Sequence, residues 1–284
     1  MNDIIELKQA EAIQAITRAE VDMQIATAKQ YPRDITQALA KIKACAMLDK
    51  ETAMECFYSL RRKDASGNDN QIEGLSVRMA EIIASAWGNI RVQTRIVGND
   101  GKQITAQAIC HDLESNTAVS KEVSRSIVNR YGKTFSQDMV IVTGNAASSI
   151  AFRNAVLAVI PKAITKNIIK EVKQLAMGKT LNLEESRRNV ITYYNRAGAT
   201  TDQLLDYLDI TSVDDITEEH IFELRALRNA IEEGTTTIKE TFTDPAKEAK
   251  RAAEAVKKAT SAKDMAAAAM AAALSKVEPN TEAE

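Results

Sequence analysis

The sequence between residues 89 and 128 alternates apolar and polar side chains in three runs separated by two short turns. The runs cover 89–97, 102–113 and 117–128, and the Asn-Asp-Gly turn between the first two is typical of a β-hairpin. Three successive strands joined by short turns predict an antiparallel meander. One face of its second strand is predicted to carry Ile104, Ala106, Ala108 and Cys110.

Apolar residues at helical spacing precede and follow the meander. They predict an α+β fold: a three-stranded antiparallel meander flanked by helices, plus a C-terminal helical module. Asp34 is a predicted N-cap, a short helix is predicted after Asp49, and residues 64–74 are a predicted polar loop. The predicted helices cover 2–29, the segments after Asp34 and Asp49, 75–86, 145–160 and 162–177.

Charge and composition divide the chain into three predicted segments. Residues 1–180 form the predicted α+β core with its N-terminal helices, and 181–244 form a predicted acidic helical module. Residues 245–284 are alanine-rich, and the pattern leaves open whether they are helical or disordered. The net charge is only −2, but residues 90–179 carry 13 Lys and Arg against 6 Asp and Glu, whereas 180–245 carry 6 against 14. Such asymmetry indicates a surface for a polyanion.

Composition also excludes several classes of protein. No run approaches the roughly 18 apolar residues that span a bilayer, so no membrane association is expected. The acidic, amphipathic N-terminus resembles neither a signal peptide nor a transit peptide. Three scattered cysteines suit a reducing cytoplasm. No cofactor is predicted.

Lysines and arginines recur through the meander and the helices after it. Arg91 and Arg95 are predicted to share a strand face, and Lys121 and Arg125 repeat their spacing on the third strand. The pattern leaves open which face of the third strand is exposed. Cations on a rigid sheet suit a phosphate backbone, whose binding is electrostatic. The further candidate DNA-binding residues are Arg130, Lys133, Arg153, Lys162 and Lys166.

The segment 144–149 contains only small or short residues and is predicted to begin a helix whose backbone N–H groups can approach an anion closely. The same small residues would also allow the helix to pack tightly on the sheet. The three predicted strands contain no aromatic residue, so base stacking is not expected. A groove that follows the sugar–phosphate backbone is favoured instead.

The only tryptophan, Trp87, follows the helix 75–86 directly. We expect it to anchor the helix-to-strand corner, in the core or at a contact between subunits. Arg78 and Glu81 lie three residues apart, so they can pair within the helix or bridge to a neighbouring subunit or a phosphate.

Asp112 and Glu114 at the end of the second strand, beside His111, are the one plausible metal constellation in the sequence. An Asp-x-Glu pair can hold Mg²⁺ through its oxygens, and with Glu122 it would suit a metal-dependent nuclease. The alternative is that the two carboxylates cap the turn and no metal binds.

Several short motifs in order resemble phage and prophage recombination proteins of the single-strand annealing class, which includes RecT, Red-beta and Erf-like recombinases. They are CFYSL, IEGLSVRMAEIIASAWGNIRV, AQAICHDLESNTAV and AASSIAFRNAVLAVIPKA, within about residues 45–177. The acidic segment is similar to C-terminal helical modules of such proteins.

The resemblance implies a β-β-β-α core. It implies that residues 1–180 bind single-stranded DNA and oligomerise into rings or helical filaments, and that the protein anneals complementary strands without ATP. It is therefore not expected to be an enzyme. The implied partners are a phage exonuclease and the host single-strand-binding protein, in the cytoplasm of a bacterial host cell. A phage structural or assembly oligomer is the second hypothesis for the function, and a metal-dependent nuclease is the third.

Overall fold

The computed structural model describes residues 2–63, 69–129, 131–178 and 182–242. The helices among these residues are α1 (Asn2–Gln30), α2 (Ile35–Ala46), α3 (Lys50–Glu55), α4 (Val77–Trp87), α5 (Gln137–Val159), α6 (Lys162–Ala176), α7 (Leu183–Ala197), α8 (Thr201–Leu208), α9 (Glu218–Glu232) and α10 (Ile238–Phe242). The strands are β1 (Phe57–Lys63), β2 (Asp69–Leu75), β3 (Ile90–Asn99), β4 (Gln103–Asp112) and β5 (Thr117–Ser126).

The predicted meander is confirmed as a three-stranded antiparallel sheet in the order β3-β4-β5. Positive φ at Gly101 and Asn116 accompanies the two turns. A β-bulge at Val97 shifts the register of β3 against β4, so that Ile96 pairs with Ala106 but Gly98 pairs with Thr105. The predicted α+β fold class is thereby confirmed.

Helix α5 packs along one face of this sheet and begins earlier than predicted, at Gln137 after the N-cap Ser136. Gly144 therefore lies inside the helix, and a Cβ added there would be 3.0 Å from the Cδ1 of Ile104. Ala147 and Ala151 are fully buried in the same core. The predicted anion-binding helix start at 144–149 is wrong, because these residues lie inside α5. The alternative prediction, that they allow the helix to pack tightly on the sheet, is confirmed.

The sequence pattern did not predict the second antiparallel pair of strands, β1 and β2. It predicted a polar loop over 64–74 instead. Phe57 pairs with Leu75 at the base of this hairpin, and residues 64–68 lie outside the described chain. The second strand reads DNQIEGL, which carries too few apolar residues to show the alternation of a half-buried strand.

Helix α4 connects β2 to β3 and begins two residues later than predicted. Ser76 is the N-cap, and its Oγ accepts a hydrogen bond from the N–H of Met79 at 3.2 Å. Met79 and Ile83 are fully buried and face the core, whereas Leu75, which was predicted to begin this helix, belongs to β2. Gly88, at φ 69°, follows the helix.

Helix α9 of the predicted acidic module packs on β1, inside the main core. The Phe222 ring lies 5.9 Å from that of Phe57, and both side chains belong to one buried cluster with Met79 and Trp87. One compact unit accordingly comprises Met1–Thr237, across the predicted boundary at residues 180/181. Burial of apolar surface on both sides joins the acidic helices to the sheet-bearing core.

The second unit is Ile238–Glu284, of which the structure describes α10. The alanine-rich segment 245–284 lies outside the described residues. Within the described parts of the chain, no single helix has both the length and the apolar character needed to cross a membrane.

Candidate nucleic-acid interface

The candidate cations of the sheet lie on opposite faces. Arg91 and Arg95 point to the face away from α5, together with Gln107 of the central strand. Lys121 pairs with Ala108, which is fully buried under α5, so Lys121 and Arg125 belong to the α5 side of the sheet. The register thus resolves the question that the sequence left open for the third strand.

The arginines on the open face are held by neighbouring polar side chains. Arg95 donates through Nε and Nη2 to Gln107 Oε1, at 2.9 and 2.7 Å. The amide of Gln107 in turn donates to Glu122 Oε1 at 2.9 Å, which links all three strands. Arg91 donates to Gln24 Oε1 of α1 at 2.9 Å. Both guanidinium groups therefore donate hydrogen bonds to other side chains of the protein.

Four cations on β5, in the β3–β4 turn and in the segment after β5 form what we call the basic edge: Lys102, Lys121, Arg125 and Lys133. Lys102, Lys121 and Lys133 are exposed, Arg125 is half-buried, and none forms an ion pair with a described residue. The carbonyl of Lys102 accepts the N–H of Ile127 at 2.8 Å, which ties the start of β4 to the segment after β5. Cations fixed on rigid backbone without carboxylate partners suit an anionic ligand.

Helix α6 carries another row of exposed cations, Lys162, Lys166 and Lys170, at intervals of one turn. Lys170 was not among the predicted residues, although its spacing from Lys166 could have identified it. Lys173 on the same helix differs, because its Nζ lies 2.6 Å from Glu73 Oε1 of β2.

Arg153 does not belong to any exposed surface, so its predicted contact with DNA is wrong. It is 6% exposed, and its Nη1 donates to Glu233 Oε2 at 3.0 Å. Its guanidinium also lies 4.5 Å from the centre of the Tyr58 ring. Burial raises the pKa of Glu233, and the N–H of Val77 and the charge of Arg153 oppose that rise. Arg153 thus joins α5 to the segment after α9. The predicted contact residue Arg130 lies outside the described residues.

Asp112 and Glu114 are the acidic part of a cluster that we call the Arg33 latch. Arg33 forms two hydrogen bonds to the carboxylate of Asp112, at 2.6 and 2.8 Å, and its Nε donates to Glu114 Oε1 at 3.0 Å. The side-chain amide of Asn89 donates to the same Glu114 oxygen at 2.6 Å. The latch connects the α1–α2 junction to the end of β4.

The electrostatics of the latch follow from these bonds. Burial tends to raise the pKa values of Asp112 and Glu114, but the hydrogen bonds and charge of Arg33 and neighbouring N–H donors outweigh it, and both pKa values are lowered. The carboxylates are therefore committed to a bidentate arginine pair rather than presented to a cation. Within the described residues, no group of three or more His, Cys, Asp or Glu side chains could hold a metal ion.

The ring of Trp87 packs against Arg33 of the latch. The residue is 5% exposed and lies in the main core, and the guanidinium of Arg33 sits 4.8 Å from the centre of its ring. Arg78 and Glu81, on the outer side of the same helix, form an exposed pair at 2.9 Å. Such a surface pair contributes little to stability.

No protein-family model, curated protein or solved structure matches this chain.

Proposed function

We propose that this protein binds single-stranded DNA and promotes ATP-independent annealing of complementary strands, in recombination of the phage type. The observation that carries the proposal is the basic edge, where Lys121 and Arg125 lie on a regular strand without acidic partners. The motif resemblance to annealing proteins supports the same function.

The mechanism needs no bond-breaking residue and no cofactor. Cations hold the sugar–phosphate backbone through charge, which is independent of sequence and sensitive to salt. Base edges then remain free to pair with a second strand, and pairing supplies the free energy. The protein contributes by concentrating and aligning the strands.

The proposed assembly is a homo-oligomer, a ring or a helical filament, with a phage exonuclease and the host single-strand-binding protein as further partners in the cytoplasm of a bacterial host. The resemblance supports these partners. Ile13, Ile16 and Met23 on α1 are 60–66% exposed, which supplies apolar surface for a contact between copies.

An annealing assay tests the proposal directly. Two complementary oligonucleotides, one carrying a fluorophore and one a quencher, are mixed at modest ionic strength with and without the protein, in the absence of ATP. We expect faster duplex formation with protein and full-length strands on a denaturing gel. An annealing rate equal to that in buffer alone would contradict the proposal, and shortened strands would indicate a nuclease.

The exposed apolar residues of α1 also favour a second candidate, a phage structural or assembly oligomer. This alternative predicts concentration-dependent assembly in sedimentation velocity without salt-sensitive affinity for single-stranded DNA. The nuclease is not proposed, because Asp112 and Glu114 are bound to Arg33.

A further inference from the structure

Helix α1 packs on its own chain only through its C-terminal turns. Ala28 is 1% exposed, and Val21 and Ile25 are half-buried. By contrast, every residue from 11 to 20 is exposed. Helices in proteins owe most of their stability to the packing of an apolar face. The N-terminal part of α1 therefore needs a surface that the described part of its own chain does not supply.

The exposed side of α1 carries a heptad pattern that we call the α1 seam. Its members recur at alternating intervals of four and three residues: Ala12, Ile16, Ala19, Met23 and Ala26. The sequence continues the pattern towards the N-terminus with Ile5, one heptad before Ala12. This spacing is that of the a and d positions of a coiled coil. Ile16 and Met23 are 60% and 66% exposed, so the described residues of the chain leave the seam uncovered.

The seam and the packed face lie on opposite sides of the helix. With 3.6 residues per turn, Ile16 is about 140° from Val21 around the helix axis, and Met23 is about 160° from Ile25. A second helix can therefore pack along the seam without displacing α1 from its own chain.

The order of large and small residues in the seam fits a second copy of α1 in the antiparallel orientation. Antiparallel packing can set each large side chain against an alanine of the other helix, with Ile16 against Ala19 and Met23 against Ala12. Small side chains at such a contact allow the two helix axes to approach closely. Parallel packing would instead set large residues against large ones and alanine against alanine, which fills the contact unevenly.

The charges of α1 favour the same orientation. Residues 2–11 carry three acidic residues and one basic residue, whereas residues 23–30 carry Lys29 and no acidic residue. Antiparallel packing brings the acidic end of each helix to the basic end of the other, and it also opposes the two helix dipoles. Parallel packing would bring like charges together at both ends.

We propose that two copies of this protein associate through an antiparallel coiled coil of their α1 helices. The contact is isologous, so it joins copies in pairs, and a ring or filament would need a second contact elsewhere on the surface. The proposal rests on the homo-oligomer of the proposed function, to which it gives an interface, and it does not depend on DNA binding.

Sedimentation velocity of the full-length chain over a range of concentrations tests the contact. Ile16→Glu with Met23→Glu should weaken self-association at least about tenfold, because each copy would place two carboxylates in an apolar seam. The matched control is Gln14→Glu with Thr17→Glu, which adds the same charge at exposed positions of α1 outside the seam and should associate like the wild type. Circular dichroism checks that both variants are folded.

Disulfide formation between copies tests the orientation. The exposed Cys45 is first replaced by serine, which leaves the buried Cys56 and Cys110. Under mild oxidation, an Ala12→Cys protein mixed with a Met23→Cys protein should form a mixed disulfide, because the two positions face each other in the antiparallel pair. Each of the two proteins alone should form a disulfide with itself much more slowly.

Three results would overturn the α1 contact alone. If Ile16→Glu with Met23→Glu associates like the wild type, copies meet through another surface. An equal loss of association in the control pair would assign the effect to added charge. Rapid linking of each cysteine protein to itself, or a mixture that forms no disulfide, would exclude the antiparallel pair.

The remaining outcomes separate this contact from the proposed function. A wild type that stays monomeric at every concentration would overturn both the α1 contact and the proposed homo-oligomer. A protein that forms the mixed disulfide but does not accelerate annealing would contradict the proposed function and would support the α1 contact.

Discussion

Single residues fix the corner between α4 and β3, where Trp87, Arg33 and Asp112 meet. The ring of Trp87 is buried in the core, and one face of it lies against the guanidinium of Arg33. Arg33 in turn forms ion pairs with the carboxylates of Asp112 and Glu114. The sequence placed Trp87 at this corner because a helical pattern changes to alternation there. It gave no sign of Arg33, since the partner carboxylate of Asp112 lies 79 positions away and local periodicity carries no such information.

Replacing the tryptophan tests its part in the corner. We expect Trp87→Ala to lower the free energy of unfolding by about 3–5 kcal/mol, because it leaves a cavity and removes the ring under Arg33. Urea denaturation followed by circular dichroism measures the change. Tyr31→Ala, at an exposed tyrosine, should cost little, and a loss below about 1 kcal/mol in Trp87→Ala would contradict a core role.

The Arg33 latch predicts a pH dependence. Asp112 and Glu114 have pKa values below their ordinary 3.8 and 4.5, so they stabilise the folded protein above those values. This contribution is lost as the pH falls through the lowered folded-state values. Arg33→Gln should therefore lower the free energy of unfolding by about 3 kcal/mol at pH 7. Its further loss of stability on acidification from about pH 5 to pH 3 should be smaller than that of the wild type.

The matched control is Arg78→Gln, which breaks an exposed ion pair of the same residue types. We expect a change of a few tenths of a kcal/mol and a pH profile parallel to the wild type. Parallel profiles for Arg33→Gln and wild type would show that the latch does not set the acid response.

At the scale of elements, the sheet was predictable and the hairpin before it was not. Alternation located β3, β4 and β5 within two residues at each end, because a half-buried strand needs that pattern. β1 and β2 lacked it: β1 is covered by α9 from much later in the chain, and β2 is largely polar and exposed. The sequence shows the small residues of α5, but it does not show where the helix begins. Only that position decides whether their N–H groups are free for an anion or whether the residues pack the helix against the sheet.

Substitutions on the two faces of the sheet are expected to change DNA binding by different amounts. Lys121→Gln with Arg125→Gln should weaken binding of single-stranded DNA and reduce the salt slope by about 1.4, since two cations are removed. Arg91→Gln with Arg95→Gln removes the same charge from the open face and should change the slope much less, because these arginines lie on the opposite face of the sheet from Lys121 and Arg125. Salt titrations by anisotropy compare the pairs. A larger effect of the Arg91 and Arg95 changes would place the interface on the open face.

At the scale of the whole molecule, charge asymmetry along the chain did not mark a domain boundary. The acidic residue Glu223 of α9 bonds to Arg61 of β1 at 2.5 and 2.8 Å, and Glu233 bonds to Arg153. Part of the acidic segment thus pairs with basic residues of the core. Composition can detect the two charges but not that they pair with each other, because both partners are distant in sequence.

Cooperative unfolding of the unit Met1–Thr237 follows from this packing. Phe222→Ala should destabilise the protein by about 3 kcal/mol. Trp87 fluorescence and circular dichroism should report the same shifted urea midpoint, as two-state unfolding requires. Glu219→Gln, at an exposed position of α9, serves as the control. A Trp87 midpoint unchanged by Phe222→Ala would show that α7–α9 unfold independently.

The bulge at Val97 makes the two margins of the sheet unequal. It kinks β3 and interrupts the row of free backbone groups on that side, which discourages another strand from adding there. β5 pairs with β4 without interruption over ten residues, so its outer margin is the straighter template. Lateral growth of the sheet would start at β5, the strand that carries Lys121 and Arg125. Under the proposed function, a nucleic-acid strand bound at Lys121 and Arg125 would compete with the addition of another protein strand at this margin.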